Sequence, residues 1–280
     1  MRLSTVTLAG RPTWGVVEGD TFHDTGAVLA ARYPDLKSAV TAGLEGVAEA
    51  VASAATTPIS EVTWLPVIPN PDKIICVGLN YEMHRKETGR AEVEHPTIFG
   101  RYANSQTGHL APIVRPKVST HLDFEGELAV IIGKPGRYIS RADAMDHVAG
   151  YACYNDGSIR DFQYHTHQFT PGKNFPDTGA FGPWMMTPDE LGPLPELRLQ
   201  TRLNGVVVQD ATFAQMIFDI ARQIEYCSSF TRLEAGDVIV SGTPGGVGAK
   251  RNPPLWMKPG DVVEVEIDRL GTLRNMVVEE

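Results

Sequence analysis

Apolar and polar positions alternate loosely from Leu3 to Leu8, break at Gly10-Arg11-Pro12, and alternate again through Trp14, Val16 and Val17. A period of two with turn residues between predicts a small antiparallel meander over residues 2–23. The period then changes. Within an Ala-rich stretch, Leu36, Val40, Leu44 and Val47 are spaced by four, four and three, which is helical. Pro58, Pro66, Pro69 and Pro71 exclude a helix or a central strand next. A boundary is therefore expected near residue 70, with a small N-terminal domain over 1–69 and a larger one over 70–280. The larger part reads as short strands: Ile74–Val77, Gly126–Ile132, Val148–Tyr154, Leu197–Leu203, Val206–Gln209, Val238–Ser241 and Val262–Ile267. Asn204-Gly205 is a hairpin signal. Helices are expected only around Tyr81–Thr88, Arg141–His147 and Ala214–Ser228. The fold class is mostly β with peripheral helices, α+β.

Composition narrows the function. A formal net charge of −9 disfavours nucleic acid and anionic membrane as partners. No apolar run approaches the roughly 18 residues of a membrane span, and the N-terminal MRLSTVTLAGRPTWGVV lacks the apolar core of a signal peptide. Cys76, Cys153 and Cys227 are sparse and form no C-x-x-C pair, so a reducing compartment and no zinc cage are expected. The expected location is cytoplasmic.

One stretch departs from its own pattern. HLDFEGELAVIIG, 121–133, is an apolar strand with Asp123, Glu125 and Glu127 at its start. Alternation puts all three on one face, neighbours about 7 Å apart. Either water screens them or a cation joins them. Asp156 ends another apolar run just before Gly157, where it is a turn aspartate or a third oxygen ligand. Such a set suits a hard ion. Asp161 reads as a cap or a surface charge. His84 and Glu87, at i and i+3 before a Gly89 stop, are either a surface ion pair or a base with its orienting carboxylate. VSGTPGGVG, 240–248, is neither a Walker loop nor a dinucleotide fingerprint. It is a tight loop or a nest whose N–H groups and Thr243 hold a carboxylate. Lys173 is a lone cation in a Gly/Pro-rich loop. His165 and His167, at i and i+2, are not expected to bind metal beside a carboxylate set.

The order of these motifs says more than any one of them. Asn-Tyr-x-x-His-x-x-Glu, Asp-x-Glu-x-Glu-Leu-Ala, Asn-Asp-x-Ser-x-Arg-Asp, Gly-Lys before Gly-Pro-Trp, Ser-Gly-Thr-Pro and Lys-Pro-Gly-Asp follow one another. The series resembles the fumarylacetoacetate hydrolase family over roughly 70–280. The resemblance implies a mixed β-roll catalytic domain, usually dimeric. It implies metal ligands at Glu125, Glu127 and Asp156, holding Mg²⁺ or Mn²⁺, sometimes Ca²⁺. It implies catalytic roles for His84 and Glu87 on a lid and for Lys173, with Arg160, Gln163 and Thr243 beside the substrate. Arg101 stands where many relatives carry Lys, and either binds a second substrate carboxylate or serves a structural partner. Met83 stands where an acidic residue is common. The implied activity is hydrolysis of a C–C bond in acylpyruvates such as fumarylpyruvate. Decarboxylation of oxaloacetate, isomerisation or hydration of 2-hydroxy-dienoates, and silent keto-acid binding are the alternatives. The implied partner is a small keto acid, on a homodimer.

Overall fold

The computed structural model describes residues 1–89 and 91–280. Among the described residues, most of the strands belong to two mixed sheets. The larger has twelve strands. Ten of them form a path: Thr56–Pro58, Thr21–His23, Arg11–Glu18, Arg2–Leu8, Gly179–Met186, Val148–Asp156, Gly126–Ile132, Val238–Val240, Ile74–Gly78 and Thr97–Arg101; off it, Thr63–Trp64 pairs with Arg2–Leu8 and Gln106–Thr107 with Gly179–Met186. The second has five: Val206–Thr212, Arg198–Leu203, Val262–Ile267, Gly271–Glu279 and Ile113–Arg115. The first strand pairs antiparallel with Gly179–Met186, in register Arg2↔Met186, so the N-terminal meander extends the large sheet. Residues 65–73, around the expected boundary, carry neither helix nor strand.

Gly126–Ile132 is buried at every residue. Leu128, Val130 and Ile132 pack with Leu199, Val263, Val265 and Leu273 of the five-stranded sheet. Ala129 and Ile131 face the other way, toward Leu3, Trp14, Leu36 and Val40. A strand covered on both faces needs no polar alternation, which is why Leu128 to Ile132 is an unbroken apolar run. Each such side chain contributes about 1.5–3 kcal/mol by leaving water.

Three helical expectations are corrected. The spacing over 36–47 yields two short helices, Leu36–Thr41 and Val47–Val51. Gly43, Leu44 and Gly46 between them all have positive φ, a left-handed run that stops a helix whatever the apolar spacing. Ala144–His147 is a single 3-10 turn. The helix expected from Ala214 starts only at Ile220, because the Asp219 side chain caps it by accepting from Arg222 N. The hairpin turn is as expected, with Asn204 and Gly205 at φ 53° and 79°.

Candidate active site

Strand pairing assembles the carboxylates. Gly126 lies opposite Asn155, so Asp156, the last residue of its strand, arrives beside Glu125. Asp156 N donates to Glu125 O at 2.8 Å, and Glu125 N donates to the Asn155 side chain at 2.9 Å. Glu125, Glu127 and Asp156 each offer a ligand oxygen, and these atoms all lie within 4.8 Å of one another. Gly126, between the two glutamates, faces the five-stranded sheet. A Cβ there would stand 2.0 Å from Thr201 Oγ1. Its N–H donates to Gln209 and its carbonyl accepts from the Thr243 hydroxyl.

Cations crowd two of the three. Lys173 Nζ lies 2.5 Å from Glu125 and 2.6 Å from Asp156. Arg160 bridges Glu125 at 2.6 Å and Asp123 at 2.8 Å. Arg101 Nη1 is 2.6 Å from Asp156. Burial by itself would raise Glu125, yet the charges of Arg160 and Lys173 hold it well below the usual carboxylate range. Glu127 goes the other way. Burial, then the neighbouring Asp156 and Glu125 charges, push it well up. It accepts one N–H, from Gly242 at 2.6 Å, and among the described residues it has no salt bridge. The all-oxygen donor set and this uncompensated carboxylate both fit a divalent cation.

Opposite stands the helix Glu82–Thr88, stopped by Gly89 at φ 70°. Asn80 fixes its start, donating to the carbonyls of Phe218 and Ser241 and accepting from Phe218 N. His84 is buried, with Nδ1 2.7 Å from Glu87 Oε1. An ionised Glu87 makes Nδ1 the donor and leaves the lone pair on Nε2. The glycine-rich loop is a nest, and its occupants are the protein's own carboxylates. Gly242 N–H serves Glu127, Gly246 N–H serves Glu87, and Gly248 and Ala249 N–H serve Asp123. Gly242 sits at φ +100°, and a Cβ would meet Asn80 Cβ at 2.6 Å.

Glu125, Glu127, His84, Lys173, Arg160, Gln163 and Thr243 all line one cavity of about 110 Å³. Glu87 and Asp156 stand just behind His84 and Lys173. Arg101 does not line it. Its guanidinium is fully buried and committed to Asp156, Ser105, Thr178 and the Gly157 carbonyl. The expectation that it meets a substrate carboxylate is corrected accordingly: the structural partner exists, and it is Asp156. The Thr243 hydroxyl is already shared between the Gly126 carbonyl and Gln209 Nε2. His165 and His167 lie on an exposed turn. Sequence reasoning missed Lys250, which lines the cavity, and Gln209, which braces Gly126 and Thr243. Neither belongs to a motif with a period.

Residues 73–278 match the C-terminal domain of fumarylacetoacetate hydrolase. The chain belongs to the fumarylacetoacetate hydrolase family. Human oxaloacetate tautomerase FAHD2A, mitochondrial, is 42% identical over 79% of this chain and 71% of its own. Fumarylacetoacetate hydrolase from Exiguobacterium antarcticum is similar over all of both chains, at 33% identity and a TM-score of 0.88. Maleylpyruvate hydrolase from Sphingobium sp. SYK-6, solved with manganese(II) and pyruvate, aligns with a TM-score of 0.83 and 29% identity over 100% of this chain and 99% of its own. Every motif of the ordered series lies within the matched residues. Among the described residues no helix is long and apolar enough to cross a membrane.

Proposed function

We propose that this family member is a divalent-cation-dependent enzyme that moves a proton on the carbon beside the ketone of small 2-oxo acids, with keto–enol tautomerisation of oxaloacetate as the reaction. The observation that carries this is the buried Glu125–Glu127–Asp156 cluster facing a His84–Glu87 pair in one small cavity. Among the reactions such a cavity serves, the 42% identity to an oxaloacetate tautomerase favours this one. Glu125, Glu127 and Asp156 would hold Mg²⁺ or Mn²⁺, with Ca²⁺ also suited to the donors, and the ion would supply Lewis acidity at the ketone. His84 Nε2 takes the proton from the carbon, and Glu87 stabilises the imidazolium that results. Return of that proton to the ketone oxygen gives the enol, and no carbon–carbon bond breaks. Lys173 and Arg160 keep Glu125 ionised, and Arg101 and Lys173 orient Asp156. Gln163 and Thr243 lie where the acid would be seated.

The second reading is hydrolysis of acylpyruvates, in which His84 takes its proton from water instead. A base held by a carboxylate suits that step equally, and the likeness to maleylpyruvate hydrolase favours it. We also propose a homodimer, which light scattering would check, and a cytoplasmic location, which cell fractionation would check. The deciding experiment offers enol-form oxaloacetate, acylpyruvates and hydroxy-dienoates with Mg²⁺ or Mn²⁺. Faster loss of enol absorbance without pyruvate supports tautomerisation. Pyruvate from an acylpyruvate, with oxaloacetate untouched, replaces it with hydrolysis. Turnover of nothing leaves a keto-acid binder.

A further inference from the structure

Three cations line the cavity: Arg160, Lys173 and Lys250. The first two are spent on Asp123, Glu125 and Asp156. Lys250 is exposed and makes no ion pair among the described residues. Its neighbour Arg251 behaves otherwise, donating to the Gly246 carbonyl at 3.1 Å and the Val208 carbonyl at 2.6 Å. The turn that carries Lys250, Gly248–Lys250, is fastened at its start. Gly248 and Ala249 N–H donate to Asp123 at 2.8 and 3.0 Å, two residues before Glu125. The turn before Lys250 is therefore tied to Asp123, while among the described residues its ammonium stays uncommitted.

We propose that Lys250 binds a second carboxylate at the far end of the substrate, and so selects 2-oxo dicarboxylic acids over monocarboxylic ones. The inference rests on the keto-acid reading above and names its substrate class. A 2-oxo acid spends its first carboxylate, beside the ketone, at the cluster. A second, further along, meets a cavity wall with one unpaired cation. The cavity is well below the roughly 300–1,000 Å³ of drug-sized sites, so a short ligand spans it. A charge-assisted hydrogen bond there raises affinity about tenfold.

The test needs no turnover. N-oxalylglycine and N-ethyloxamate share the oxo-acid end, and only the first carries a distal carboxylate. Calorimetry with Mn²⁺-loaded wild type should find N-oxalylglycine bound about tenfold more tightly. Lys250→Met should remove that preference and leave N-ethyloxamate unchanged, and Lys250→Arg should restore most of it. Equal binding of the two probes by wild type, or a preference that survives in Lys250→Met, overturns the proposal. Failure of both probes to bind overturns the keto-acid reading and this inference with it. A preference lost in Lys250→Met, with no keto acid turned over, upholds Lys250 and removes the reaction.

Discussion

Around Glu125 the protein packs two cations against one buried carboxylate, with Arg160 on one oxygen and Lys173 on the other. Around Glu127, two residues further along the chain, it offers, among the described residues, a single backbone N–H. The first region is electrically complete without a ligand. The second holds a buried carboxyl whose charged form burial and its own neighbours disfavour. Structural ion pairing and readiness for a cation therefore sit side by side. The difference comes from which side chains reach each position.

Four experiments would break or sharpen this contrast. The largest effect is expected from Arg160→Met, which leaves Asp123 and Glu125 buried and short of a partner. Loss of about 3–5 kcal/mol of stability is expected in urea unfolding, the range for breaking a buried ion pair from one side. A loss under about 1 kcal/mol would mean the region is not held by that guanidinium. Next comes the wall opposite. His84→Ala should lower kcat by about 10²–10⁴-fold with stability and KM little changed. Glu87→Gln should cost less, because the orienting oxygen remains. Unchanged kcat with a raised KM would make the pair a contact for substrate rather than a base.

Glu127→Gln tests the second region directly. Removing that charge should leave the metal-free protein at least as stable as wild type. It should also abolish stabilisation by Mn²⁺, which in wild type should reach about 2.7 kcal/mol at a hundredfold excess over Kd. Thermal melts with and without the ion read both. A variant that melts lower without metal would show Glu127 compensated after all. The smallest effect is a background that any pH scan of this contrast must remove. His109 accepts from Arg274 N at 3.1 Å, and burial, with the Arg274 charge, lowers its pKa to about 4. The unfolded chain protonates near the ordinary value of about 6.5. Stability is thus full above that pH and falls as pH drops toward 4, because the unfolded state then binds the extra proton. His109→Gln should flatten the slope of stability against pH in that window. An unchanged slope would assign it elsewhere.

Much of the site could be read before any fold was known. Alternation placed Glu125 and Glu127 on one face, and Asp156 was recognisable as a strand-end carboxylate. The i, i+3 spacing of His84 and Glu87, with Gly89 after them, was enough to suggest the dyad. The glycine-rich loop was legible as a nest, but its occupants were not. Gly242 serves Glu127 across 115 residues of chain and Gly248 serves Asp123 across 125. Arg101 was misplaced for the same reason. Its partner Asp156 is 55 residues away, and a cation in a motif looks alike whether it faces a cavity or a buried carboxylate.

What the amino-acid sequence determined by itself is what has a local period. The meander, the short helix bearing His84 and the carboxylate face follow from spacings of two or about 3.6 residues, the buried strand from its apolar run and the hairpin from its Asn204-Gly205 turn. The tertiary structure alone decided which charges meet. Among the described residues it gave Glu125 two cations and Glu127 none, turned Arg101 inward and left Lys250 without an ion pair. Ion pairs form between side chains brought together by strand register and sheet packing. Neither leaves a periodic trace in the chain, so only the folded arrangement separates a spent charge from one still available to a ligand.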